Sequence, residues 1–170
     1  MKRCLNFGCG VNFRDSSKKI KWDNVDVQNS PKLKKSFDFN KFPYPLKSDN
    51  YDYVYAKSII EHLWDLDKVF DELWRICKNG AIIEIGVPHY SNKGAYDDIQ
   101  HVHFFNDRTF YNLVYDKRKI ENLKKFELIY QKINPSPIGK FLPKKIRLYL
   151  SYFINGLHSK IWVKLRVIKE

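Results

Sequence analysis

Arg3-Cys4-Leu5-Asn6-Phe7-Gly8-Cys9-Gly10 is a short β-forming run that ends in a Gly-x-Gly turn, and the reading of that turn decides the fold. The two glycines permit positive φ and leave no Cβ between the backbone and a bound molecule, as a mononucleotide-type pocket requires. The pair alone is weak, so the chain beyond it must supply partners at fitting distances. Trp22-Asp23-Asn24-Val25-Asp26-Val27 predicts a second short strand, and Asp26, 16 positions after Gly10, can accept hydrogen bonds from a ribose diol. A third strand over Lys34–Asp38 ends in Asp38-Phe39, a carboxylate for an adenine amino group followed by a ring to cover the adenine face. Each Asp taken singly reads equally well as a turn residue after a strand. Their serial arrangement behind a glycine turn favours a ligand.

The spacing also discriminates among ligands. A dinucleotide fold needs a third glycine opening a helix whose N-terminus takes the pyrophosphate, whereas Phe13 stands at that position here. Val11 to Lys21 has no apolar stripe of helical period, so no phosphate cradle is expected. A Walker lysine motif is also absent from the sequence. Adenosine without phosphate, as in S-adenosylmethionine, suits these residues better than NAD or ATP.

At this point several segments are familiar as a set: Leu5 to Gly10, Asn24 to Val27, Asp38-Phe39-Asn40 with Phe42-Pro43-Tyr44-Pro45, Asn50 to Ala56, Ile60-Glu61-His62-Leu63, Glu72 to Gly80 and Glu84 to Pro88. Together they resemble the class I S-adenosylmethionine-dependent methyltransferases, most closely the short type 11 members often linked to cell-surface polysaccharide biosynthesis. The resemblance spans Met1 to Phe110 well and the remainder loosely; it is specific for fold and cofactor and silent about the methyl acceptor. It implies that Gly8, Cys9 and Gly10 line the methionine part of the cofactor, that Asp26 holds the ribose, and that Asp38 and Phe39 frame the adenine. Ala56 and Lys57 would offer backbone groups near the methionine amino end. Asn6 stands where many relatives carry an acidic residue, which would alter one water-mediated contact. The implied fold is a Rossmann-like, mostly parallel seven-stranded sheet with an antiparallel edge strand. The first two connections are too short for the usual covering helices, so trimmed N-terminal helices are expected.

Periodicity places the remaining elements in a single methyltransferase-like domain over residues 1–170. Tyr51–Ala56 is a β-rich run; Ser58-x-x-Glu61 then reads as a capping box opening a helix with Ile59, Leu63, Leu66, Val69, Phe70, Leu73 and Ile76 on its apolar face and Asn79-Gly80 at its end. Ala81–Val87 is a buried strand stopped by Pro88, Asn106 caps a short helix, and Phe126–Ile133 and Ile161–Ile168 are the last strands. Between these, residues 135–158 form a basic amphipathic insertion, with a helix over Leu142–Leu157 that packs on the sheet, closes the substrate pocket or meets a membrane surface.

Charge is uneven. Lys117–Glu170 holds 14 Lys and Arg against 3 Asp and Glu, whereas Met1–Asp116 holds 17 against 16. An anionic partner is one reading of that half, RNA or an acidic membrane surface; a solvated lysine-rich face is the other. Three unpaired cysteines, and Met1-Lys2-Arg3 running straight into a strand, suit a cytoplasmic protein, peripheral to the membrane in the alternative reading. A thinly covered sheet face would also permit a homodimer.

Methyl transfer from a sulfonium is a direct displacement that rests on alignment, with a base required where the acceptor is a hydroxyl or a protonated amine. His62, His89, His101 and His103 fall at or after the carboxyl ends of predicted strands, and His101 is the first choice for that base, with Asp98 as its orienter, because Asp98-x-x-His101-x-x-Phe104-Phe105 resembles a segment that follows the fifth strand in these methyltransferases. No fixed ligand spacing is present, so no metal is expected. Glu61 reads better as the helix cap than as a pocket acid. Trp64 reads as core, while Tyr90 and Tyr96 are left open between core and pocket wall. The leading function is S-adenosylmethionine-dependent methyl transfer to a small molecule or glycan precursor; the alternatives are an RNA methyltransferase and a catalytically silent module at a membrane surface.

Overall fold

A computed structural model describes residues 1–116 and 125–169. Of the basic half Lys117–Glu170, residues 117–124 and 170 thus lie outside the described residues. Seven strands, β1 (Lys2–Phe7), β2 (Ile20–Asp26), β3 (Lys35–Ser36), β4 (Tyr51–Lys57), β5 (Cys77–Pro88), β6 (Phe126–Pro135) and β7 (His158–Val167), form one sheet in the order β3-β2-β1-β4-β5-β7-β6. The first five pair in parallel, and β7 runs antiparallel to both its neighbours, so the antiparallel strand sits one place in from the edge. Strands are laid outward on one side of β1 as far as β3 and then on its other side from β4, so the strand order reverses beside β1. That is the switch point where an open α/β sheet leaves a crevice at its carboxyl ends.

Alternation sorts each strand onto two faces. Leu5, Phe7, Val25, Val54, Ala56, Ile83, Ile85, Val163 and Leu165 share a core with residues of α1 (Leu66–Ile76) and of α2 (Thr109–Tyr115). Val69, Phe70, Leu73 and Ile76 supply the α1 stripe, with Phe110 and Val114 from α2. On the opposite face the pairing register aligns Asn24, Asn6, Tyr55, Glu84 and Lys164 across five strands. Lys164 pairs with Glu84 at 3.0 Å and Tyr55 stacks on Trp162, so side chains cover what helices would. Gly86 is required there, because a Cβ would lie 2.7 Å from the Trp162 ring. Connections 8–19, 27–34 and 37–50 contain no helix, as their length predicts.

Four expectations are corrected. The helix begins at Leu66, capped by Asp65, whose carboxylate accepts from the Lys68 N–H at 3.1 Å. Ser58 instead sits at φ +53 and donates its N–H to the Gly86 carbonyl, and Ile60–His62 forms a short 3-10 turn, so no capping box forms. Helix α1 also ends at Ile76, passing directly into β5, which carries Asn79 and Gly80 as an irregular stretch (Gly80 φ +75). Finally, the expected helix over 142–157 is only α3 (Lys144–Leu150), and none of its residues is buried. Trp64, expected in the core, is exposed.

Candidate active site

The ends of β1 and β4 and the loop after β1 enclose a cleft of about 400 Å3 lined by Asn6, Gly8, Cys9, Arg14, Tyr55 and Lys57 among others. Gly8 has φ +69, and a Cβ there would meet Ile59 Cγ1 at 2.5 Å, so both conformation and space demand glycine. Gly10, at φ +52, has nothing within 4 Å of a built Cβ. Asp26 pins this turn: one carboxylate oxygen accepts from the Gly10 N–H at 2.6 Å and the other from the Gln28 N–H at 3.1 Å. Asn6 is occupied in the same way, its amide donating to Asn12 O and Asn24 Oδ1, while Asn24 holds Arg14 through both backbone groups. The Arg14 guanidinium lies 3.9 Å from the Tyr55 ring centroid, a cation at the cleft wall that sequence reading missed because nothing local marks it. Burial pushes the Cys9 thiol up to about 11, which keeps it protonated and unsuited to nucleophilic attack.

The remaining expected ligands separate. Asp38 is half-buried at the rim, accepting from the Asn40 N–H at 2.9 Å. The Phe39 ring is buried, 4.3 Å from Phe7 and 4.9 Å from Phe37, so it fills the core and is not free to cover a ligand. Ala56 is buried within the sheet, paired with Phe7 and Ile85, while Lys57 reaches the cleft.

A second group gathers where the 3-10 turn after β4 meets the loop after β5. The Glu61 carbonyl accepts from the Val102 N–H at 2.9 Å, which draws the loop in, and ligating atoms of Glu61, His62 and His101 come within 4.8 Å of one another. His101 Nδ1 makes a 2.8 Å hydrogen bond to the Ala95 carbonyl. A carbonyl only accepts, so Nδ1 carries the proton and Nε2 keeps its lone pair. Ala95, not Asp98, therefore orients the ring; the Asp98 carboxylate is turned to the Gln100 N–H. Glu61 is buried, its Oε2 has no partner, and burial raises its carboxyl above the ordinary range, opposed by its own N–H and by His101. Burial likewise lowers His62, helped by His101. His103 bonds the Trp64 carbonyl, and His89 is buried against Ser91 and His158.

Residues 10–85 match the family model of a methyltransferase domain. Solved structures align along nearly the whole chain. A methyltransferase from Archaeoglobus fulgidus shares 17% identity over 97% of this chain and 86% of its own, at TM-score 0.62. The YcgJ protein of Bacillus subtilis shares 13% over 99% and 92%, at TM-score 0.65. The chain has the fold of a class I methyltransferase. No curated protein matches it. A phosphoethanolamine methyltransferase of Haemonchus contortus, solved in complex with S-adenosylmethionine, aligns at 14% identity over 99% of this chain and 49% of its own, at TM-score 0.61.

In the turn beside the cleft each Asp26 oxygen keeps a lone pair beyond the one bond it accepts. The Asp38 side chain is 41% exposed and 4.0 Å from Lys41. Beside the histidines lies a larger cavity of about 600 Å3, walled by Tyr90, Tyr96, Ser136, Pro137 and Ile138. Both tyrosines thus serve as pocket wall.

Proposed function

We propose that this chain transfers a methyl group from S-adenosylmethionine to a hydroxyl or amino group of a small molecule or glycan precursor. When bound, the sulfonium supplies an electrophilic methyl carbon. The chain's own part is alignment: Gly8, Cys9, Gly10, Asn6 and Lys57 bound the methionine end, Asp26 takes the ribose hydroxyls, and Asp38 meets the adenine edge. His101 takes the acceptor proton at Nε2 as the methyl bond forms. Ala95 fixes its tautomer, and the buried Glu61 carboxyl lies beside the ring, within 4.8 Å of its ligating nitrogen. The single observation carrying this reading is the hydrogen bond from His101 Nδ1 to Ala95, which leaves a lone pair at the strand tips. A panel of acceptors with methyl-labelled donor tests it: wild type labels an acceptor, and His101→Ala abolishes labelling while S-adenosylhomocysteine still binds. Unchanged turnover in that variant removes the assignment.

A second reading, a silent binding module, is favoured by the internal use of Asp26 and the burial of Phe39. Fold alone does not choose between them, since the cyclase SpnF aligns as well, at TM-score 0.65 and 14% identity over 99% of this chain and 75% of its own. Donor binding separates the two. An RNA acceptor has no comparable support, because Tyr55-Ala56-Lys57-Ser58 departs from the Asp/Asn-Pro-Pro-aromatic motif that serves base amino groups.

A further inference from the structure

The sequence from 128 to 169 contains no Asp or Glu and nine Lys and Arg. Within it, residues 138–154 expose Ile138 (72%), Phe141 (88%), Ile146, Tyr152 (79%), Phe153 (74%) and Ile154, interleaved with Lys140, Lys144 and Lys145. A soluble surface rarely leaves so many large apolar side chains uncovered together. The segment is nonetheless held firmly at its base. Ser136 N–H donates to the Leu157 carbonyl, and Gly139 N–H to Ser136 Oγ. Gly139 lies so close to Leu157 that no Cβ fits, and Arg147 donates to the Gly139 carbonyl. The apolar tips therefore project from an anchored loop-helix unit.

We propose that residues 138–154 seat this protein on an anionic lipid bilayer. Aliphatic and aromatic side chains enter the headgroup boundary, and the lysines beside them meet lipid phosphates. The charge pattern selects this occupant. A second copy docked through the same patch would set lysines against lysines without an acid to relieve them. A nucleic acid would use the cations and the rings but has no contact to make with Ile138, Ile146 or Ile154. Ile138 also walls the 600 Å3 cavity, with Tyr96 on its other lip, so the cavity mouth would face the lipid. The Tyr96 lip continues into Asp97 and Asp98, which leaves the seating to the lysine-bearing side.

Sedimentation of the whole protein with vesicles of phosphatidylcholine, with and without phosphatidylglycerol, tests the proposal. Wild type should pellet with the anionic vesicles and lose at least roughly tenfold in affinity on neutral ones or in high salt. The double variant Phe141→Ser, Phe153→Ser should lose at least roughly tenfold on anionic vesicles, and Lys144→Glu, Lys145→Glu a similar factor. Both pairs are exposed, so melting temperature and S-adenosylhomocysteine binding should stay at wild-type values, which keeps this outcome separate from that of the proposed reaction. Equal binding by wild type and the serine variant, retention on single-stranded RNA in preference to vesicles, or a dimer that the serine variant converts to monomer would each overturn it.

Discussion

At the scale of single residues, the site turns on which polar groups are already spent. His101 has one nitrogen committed and one free, the condition of a general base. We expect His101→Ala to lower kcat by about 10²- to 10⁴-fold with donor binding intact, read by single-turnover labelling and calorimetry. Glu61 is the opposite case, a carboxyl whose charge the fold pays to bury. Its folded pKa lies above the unfolded one, so its stabilising contribution belongs to the protonated form and is lost as pH rises past the ordinary carboxylate range. Glu61→Gln should therefore raise the melting temperature at pH 7, with the gain shrinking toward pH 4, while turnover falls. A lower melting temperature at pH 7 would show that Glu61 has a partner the packing hides. Gly8→Ala should cost about 2 kcal/mol in denaturant unfolding, from the left-handed backbone and the 2.5 Å approach to Ile59 together.

Elements were legible where a run of residues had one outcome. Leu5, Phe7 and Val54 could only be buried strand positions, and the glycine turn followed from its spacing. The start of α1 was misread because Ser58-x-x-Glu61 fits a capping pattern locally. Two distant carbonyl contacts override it: Gly86 takes the Ser58 N–H, and the loop around Val102 takes the Glu61 carbonyl, turning the side chain inward. Phe39 was misplaced for a related reason, since sequence gives a ring next to an acid but not which way it faces. The helix expected over 142–157 was drawn too long because an apolar stripe continues past Leu150 in sequence while the helix stops there. In the loop before β4 the decisive group is Arg75, which holds Glu72 at 2.7 Å and donates to Tyr44 O, Leu46 O and Ser48 Oγ. Burial raises Glu72, yet these Arg75 bonds and the Tyr44 N–H carry it below the ordinary carboxylate value. Arg75→Met should cost about 3 kcal/mol by urea unfolding, because it strands a buried carboxylate and three acceptors. A loss below the scatter of surface substitutions would show that loop to be held by its aromatic cluster alone.

For the molecule as a whole, the buried histidines at the ends of β5 and β7 contribute to acid sensitivity. Burial, with His158 close by, pushes His89 down to about 4 from its ordinary 6.5. Between those values the unfolded chain binds a proton that the folded chain refuses, so stability falls as pH drops through that window, by roughly 3 kcal/mol if His89 acts alone. His89→Asn should flatten that dependence in chemical denaturation at pH 5 against pH 7. In the proposed reaction the glycine-turn cleft, the Glu61–His101 group and the apolar cavity act together, and donor binding is its first condition. The most direct measurement is titration calorimetry with S-adenosylhomocysteine on the intact protein. Saturable heat with one site per chain, and about 2.7 kcal/mol of added stability at a hundredfold excess over Kd, is the predicted result; no heat and an unmoved melting temperature would contradict it.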